Sequence, residues 1–193
     1  MTRFSYAPMK SILMAGVLAA ASPSTTTAQE AATDPVFVFN KTCYAQVPNV
    51  HAIQNMAREL AWRESGGEDL KKFTTVADPE ILMGWDAQVG EQIYRVGVVQ
   101  STPPKSLAEA FPDFANGKAT SCTIVVDDKQ DGAQMVANMS RLAGKDPVSK
   151  DIAEGPLLTT TWAGGNDELK VFLFAKTPEN RKGGLMAVTV LQK

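Results

Sequence analysis

The chain has 193 residues, of which 44% are hydrophobic and 21% are charged, and its formal net charge is −2. This length is enough for one domain with a hydrophobic core, and the composition excludes an intrinsically disordered chain. The near-neutral charge and the lack of any basic stripe argue against a nucleic-acid-binding protein, because phosphate contacts require a strongly basic face.

The N-terminus has the order of segments that is typical of a cleaved signal peptide. Arg3 and Lys10 supply positive charge, an apolar run follows at 12–21, and small residues precede a predicted cleavage after Ala28. The apolar run has roughly 10 residues, whereas a helix that crosses a bilayer needs about 20. Cleavage would remove two basic residues and no acidic one, which changes the net charge from −2 to −4.

These features predict two regions, a cleaved signal peptide at 1–28 and a single globular domain at 29–193. The mature chain is predicted to have no transmembrane segment. The protein is therefore expected to be periplasmic or secreted, as part of a bacterial envelope.

Helical spacing of apolar residues predicts a first helix that Asn49 caps and that ends near Trp62. The stretch 63–90 that follows shows no clear period and is predicted to be loosely ordered. The apolar stripe of the helix consists of Val50, Ile53, Ala57 and Leu60.

Residues 92–100 alternate in the manner of a strand, with Tyr94 and Val96 facing one side and Arg95 facing the other. Residues 101–118 contain three prolines and are predicted to be a long loop with at most one helical turn.

A second strand is predicted at 120–126, and a second helix follows the acidic residues that end at Asp131 and stops at Gly144. The last third of the chain is predicted to be a meander, since a glycine-rich turn separates apolar runs. Its three strands are expected at Leu157–Trp162, Glu168–Ala175 and Leu185–Leu191.

The predicted order is therefore α-β-β-α-β-β-β. An α+β fold satisfies it, with a five-stranded antiparallel sheet and two main helices packed on one face. This order is similar to that of PAS- and profilin-like domains. The resemblance concerns topology alone and implies no function.

The two cysteines of the mature chain, Cys43 and Cys122, are predicted to form one disulfide because exported proteins fold in an oxidising compartment. Cys122 shares a strand face with Ile124 and Val126, which is the expected core face. The alternative is a reactive thiol at Cys43 that uses His51 as its base. No third group that would orient this histidine is identifiable.

Three groups of residues are candidate ligand contacts. His51, Arg58 and Trp62 share one stripe of the first helix, and the alternative is a solvated helix face.

Trp85 and Asp86 lie in the stretch predicted to be loosely ordered, where binding residues concentrate, and the alternative is a core tryptophan. Arg181 and Lys182 lie in a loop that could meet an acidic partner, and the alternative is a solvated turn.

No catalytic set is identifiable, and neither a metal nor a cofactor is expected. The chain has no P-loop, dinucleotide fingerprint or nucleophile elbow, and one histidine without spaced partners does not make a zinc site. Residues 127–138 lack the ligand pattern of a calcium loop.

The leading hypothesis is a non-enzymatic binding or interaction module of the envelope, whose partner is a protein or a small-molecule ligand. One alternative is an inhibitor or immunity-type protein directed at a periplasmic enzyme or toxin. Another is a small hydrolase that uses Cys43 or Ser65 with His51.

Overall fold

The computed structural model describes residues 34–193, and the predicted signal peptide lies outside the described residues. The helices are α1 (Pro35–Phe39), which continues as a π-helical turn (Asn40–Tyr44), α2 (Val50–Glu59), α3 (Glu68–Lys71), α4 (Lys105–Ala110), which precedes a 3-10 turn (Pro112–Phe114), and α5 (Gly132–Ala143). The strands are β1 (Arg63–Glu64), β2 (Ile81–Val89), β3 (Gln92–Ser101), β4 (Lys118–Asp131), β5 (Ser149–Glu154), β6 (Leu157–Gly165), β7 (Leu169–Pro178) and β8 (Lys182–Gln192).

The strands form one antiparallel sheet of eight, in the order β1-β2-β3-β4-β8-β7-β6-β5. The predicted five-stranded sheet with two main helices, and with it the PAS- or profilin-like topology, is therefore wrong. The antiparallel pairing was predicted, but β1, β2 and β5 were not.

Strand β2 lies in the stretch that was predicted to be loosely ordered. Its residues alternate, since Trp85 and Ala87 are buried on one face while Gly84 and Asp86 face the other. Glycine and aspartate are depleted in strands, so the sequence signal for β2 was weak.

Strand β5 was missed because it is a mostly polar edge strand. Ile152 is half exposed, and a register shift between Ser149 and Ile152 accompanies the positive φ of 55° at Asp151. An edge strand that buries little apolar surface has no alternating pattern to detect.

The other predicted helices and strands are present. Residues 101–118, predicted to contain at most one helical turn, instead contain α4 and a 3-10 turn, because the prolines precede α4 and begin the 3-10 turn and so interrupt neither helix. The Asn49 side chain accepts a hydrogen bond from the Ala52 N–H at 3.1 Å at the start of α2. The Asp131 side chain caps α5, and Gly144 ends it in a left-handed conformation with φ of 65°.

The two faces of the sheet are covered differently. The face that carries Trp85, Val96 and Ile124, here called the core face, packs against α1, α2 and α5 to form the main hydrophobic core. The opposite face, here called the open face, carries a smaller cluster around Phe114 and Phe172, against which residues of the 101–118 segment pack.

The predicted disulfide between Cys43 and Cys122 is confirmed. It joins the π-helical turn to β4 with a Cα–Cα distance of 5.3 Å, and both cysteines are 0% exposed. Such a bridge fits an extracellular or periplasmic protein. Within residues 34–193, no helix combines the length and the apolar character that a membrane crossing requires.

Candidate binding cleft

The structure places Trp85 and Asp86 on opposite faces of the sheet. Trp85 is 3% exposed and belongs to the main core, whereas Asp86 lies on the open face and contacts Arg63. Neighbouring residues of a strand point in opposite directions, so the two cannot contact one ligand on the same face.

The predicted helical group of His51, Arg58 and Trp62 is also divided. His51 and Arg58 are exposed on α2, where the Arg58 guanidinium donates to the Asn55 side chain at 2.5 Å. Trp62 follows the helix, is half-buried and packs against the main core.

The third predicted group lies in the turn before β8. The Arg181 guanidinium forms an ion pair with Asp151 at 3.0 Å and a hydrogen bond to the Thr177 hydroxyl at 3.2 Å. Lys182 is exposed at the first position of β8. Arg181 is therefore already engaged by the protein itself.

The structure instead assembles two adjoining clefts beside the β2–β3 hairpin, and both include Arg63 and Asp86. We call the pair the hairpin cleft. Its charged part has a volume of about 480 Å³ and includes Asp69, Lys72, Phe73 and Arg95. Its apolar part has a volume of about 650 Å³ and includes Leu60, Trp62, Gln88 and Ile93.

Strand register brings the lining residues together. Asp86 of β2 lies opposite Arg95 of β3, and Gln88 lies opposite Ile93, all on the open face. On the far side of β3, Arg95 lies opposite Val125 of β4.

A pair of glycines fixes one wall of the charged part. Gly84 and Gly97 lie opposite each other on β2 and β3, and the Phe73 ring packs over both of them. A Cβ atom at Gly97 would overlap that ring, and one at Gly84 would approach Leu70 within 2.8 Å. Glycine at these positions therefore permits the segment around α3 to pack closely on the sheet.

Arg63 and Asp86 form an ion pair at the junction of the two parts. The Arg63 Nε donates to Asp86 Oδ2 at 3.1 Å, and Nη2 donates to the same oxygen. This hydrogen bonding to Asp86 raises the pKa of Arg63. The Arg63 side chain is 82% exposed, so the pair contributes little to stability.

A second ion pair lies between Asp69 and Lys72, with a distance of 2.6 Å. The hydrogen bond from Lys72 is the largest cause that lowers the pKa of Asp69, and the charge of Arg95 adds to it. Arg95 itself forms no ion pair with any residue in the described part of the chain. Arg95 is exposed, and its guanidinium makes no hydrogen bond to a described residue.

The apolar part of the cleft exposes large side chains. Leu60 is 60% exposed and Ile93 is 58% exposed, and half-buried Trp62 lies near them. Ala61 has a positive φ of 51°, which turns the chain from the end of α2 into β1. Contiguous apolar surface next to polar groups is a common feature of interaction sites.

The residues of the predicted hydrolase do not assemble here. Cys43 is in the disulfide, so it has no thiol to act as a nucleophile, and His51 is not among the cleft residues. Ser65 borders the charged part. In the described part of the chain, no group of three His, Cys, Asp or Glu residues is placed to hold a metal ion.

Sequence reasoning did not select Arg63, Phe73 or Arg95. For Arg95 a signal existed, because it alternates with apolar Tyr94 and Val96 in β3 and therefore faces away from the core. Arg63 and Phe73 lie in the stretch without a clear period, so only the fold shows that they approach Arg95. Comparisons with protein-family models, with curated proteins and with solved structures find no match for this chain.

Proposed function

We propose that this protein is an exported, non-enzymatic binding module of the cell envelope and that it holds its partner in the hairpin cleft. The observation that supports this most is that Arg95, which forms no ion pair with the described residues, lies in a cleft that adjoins the one containing exposed Leu60 and Ile93. An interface needs apolar contact area and a polar group that fixes orientation, and this cleft offers both.

The location of the cleft also supports the proposal. Asp86, Arg95 and Ile93 of the cleft lie on the open face of the sheet, opposite to the face that the three helices of the main core cover, and the end of α2 borders the apolar part. The sheet beneath it is held by continuous pairing from β2 to β4, and β4 is bonded to the N-terminal segment through the disulfide. Rigid elements below a binding surface reduce the entropy that is lost on association.

Site-specific photo-crosslinking in the native host tests the proposal. A photoreactive amino acid replaces Ile93 in one variant and Val148 in a control variant. Val148 is an equally apolar residue that is 66% exposed and outside the cleft. We expect a discrete crosslinked species from the Ile93 variant that the Val148 variant does not give.

The identity of the crosslinked species, determined by mass spectrometry, gives the class of partner. A crosslinked enzyme or toxin whose activity the purified protein reduces would identify the module as an inhibitor or immunity-type protein. The proposal is contradicted if both variants give the same species, or if neither gives any, while both proteins are exported and folded.

A further inference from the structure

We infer that the occupant of the hairpin cleft is a segment of another protein that places a carboxylate on Arg95 and an adjacent apolar side chain against Ile93 and Leu60. This inference rests on the proposed function and adds the chemistry of the partner.

One cation on the open face of the cleft favours an acidic group. Arg63 pairs with Asp86 and Lys72 with Asp69, which leaves Arg95 as the cation without an ion-pair partner among the described cleft residues. Glu64 also borders the charged part, but it lies opposite Trp85, so its side chain projects from the other face of the sheet. A guanidinium binds a carboxylate through two parallel hydrogen bonds, so one aspartate or glutamate would complete the pairing.

The apolar part favours a side chain close to that carboxylate. Ile93 and Arg95 project from the same face of β3, two residues apart, which corresponds to about 7 Å along a strand. Two side chains on one face of an extended peptide have the same spacing. A segment with an acidic residue and an apolar residue in alternate positions would match both.

The shape of the cleft favours a polypeptide over an acidic small molecule. A small-molecule site usually buries most of its ligand, whereas Leu60 and Ile93 are exposed by more than half and the Arg63 side chain is 82% exposed.

Selection from a displayed library of random seven-residue peptides tests the inference, with the secreted mature protein as the target. We expect enriched peptides to carry aspartate or glutamate two positions from an apolar residue. Arg95→Gln should remove this enrichment and Arg95→Lys should keep part of it. Arg58→Gln, which removes an exposed arginine outside the cleft, should leave the enrichment unchanged.

A selected peptide then allows a quantitative test. Replacing its acidic residue with the matching amide should weaken binding to the wild-type protein about tenfold, which corresponds to about 1.4 kcal/mol. The same replacement should have little effect on binding to Arg95→Gln, because the interaction has already been removed.

Three results would overturn the inference: no enrichment, enrichment of peptides that lack acidic residues, or acidic peptides that bind Arg95→Gln as tightly as wild type. If Ile93 crosslinks to a protein while any of these results is obtained, the proposed function stands and the inference fails. If Ile93 crosslinks to a lipid or another small molecule, the inference also fails. If Ile93 gives no specific crosslink, the proposed function fails as well.

Discussion

Removing the disulfide is expected to cost a large share of the stability of this protein. The bridge closes a loop with a sequence separation of 79 between Cys43 and Cys122. The chain-entropy model gives about 4.5 kcal/mol for a loop of this length, because an open chain has more unfolded conformations. Typical domains have a total stability of about 5–15 kcal/mol.

The variant that tests this is Cys43→Ala with Cys122→Ala. Both sites are fully buried, and alanine is smaller than cysteine, so the substitution introduces no steric overlap. Two wild-type contacts of this segment do not involve the bridge, since Phe39 is buried in the core and Asn138 donates to Asp34 at 3.2 Å. The N-terminal segment should therefore keep its place in the folded protein, and the loss should arise mainly from the unfolded state.

Urea unfolding followed by circular dichroism measures the effect. With a slope of about 2 kcal/mol/M, the expected loss lowers the urea midpoint by about 2 M. Wild-type protein unfolded in the presence of a reductant should show the same shift, which controls for the alanine substitutions. A shift smaller than about 0.5 M in both samples would refute the loop-entropy reasoning.

Three further predictions concern burial and pH. Ile124 is 0% exposed, so Ile124→Ala should cost about 2–5 kcal/mol of stability in urea unfolding. Ile93 is 58% exposed, so Ile93→Ala should change stability by less than about 0.5 kcal/mol. Equal losses for the two variants would contradict the faces of the sheet to which these residues are assigned. Burial, and to a smaller degree the charges of Asp34 and Asp127, raises the pKa of Tyr94 above its usual value of 10.0. The contribution of neutral Tyr94 to the stability of the folded protein is therefore fully present below the pKa of tyrosine in the unfolded chain, and it is lost as the pH rises through the pKa of Tyr94 in the folded protein. Ultraviolet titration of tyrosinate should show one late-titrating group that Tyr94→Phe removes, and persistence of that group would count against the burial. The hydrogen bond from Lys176, at 2.6 Å, is the largest cause that lowers the pKa of Glu154 below its usual value of 4.5. Ionised Glu154 therefore contributes to the stability of the folded protein above pH 4.5, and this contribution is lost as the pH falls through the folded pKa. Because Glu154 is half exposed, Glu154→Gln should cost less than about 1 kcal/mol of stability at neutral pH. In the acid range, the stability of Glu154→Gln should depend less on pH than the stability of the exposed control variant Glu179→Gln. The same acid profile for both variants would contradict a stabilising ion pair between Glu154 and Lys176.

The elements that the sequence predicted correctly carry strong local signals. Asn49 and Asp131 cap helices through their own side chains, and Gly144 ends α5 through a left-handed conformation that glycine adopts readily. The alternation of Tyr94 and Val96 was enough to identify β3. These signals act between residues that are close in the chain, so the sequence alone determines them.

The fold was predicted incompletely because several strands depend on distant partners. In β2, Gly84 interrupts the apolar pattern, and its role is visible only once Gly97 lies opposite and Phe73 covers both. Strand β5 exposes most of its residues, so its pairing with β6 identifies it as a strand. The number of strands could not be read from local pattern alone.

By itself, the sequence determined the two capped helices, the alternating central strands and the pairing of Cys43 with Cys122. The tertiary structure decided the number of strands and the candidate site. It separated Trp85 from Asp86 by placing them on opposite faces of the sheet, and it brought Asp86 opposite Arg95. The physical reason is that strand register relates residues far apart in sequence, and no local pattern contains that information.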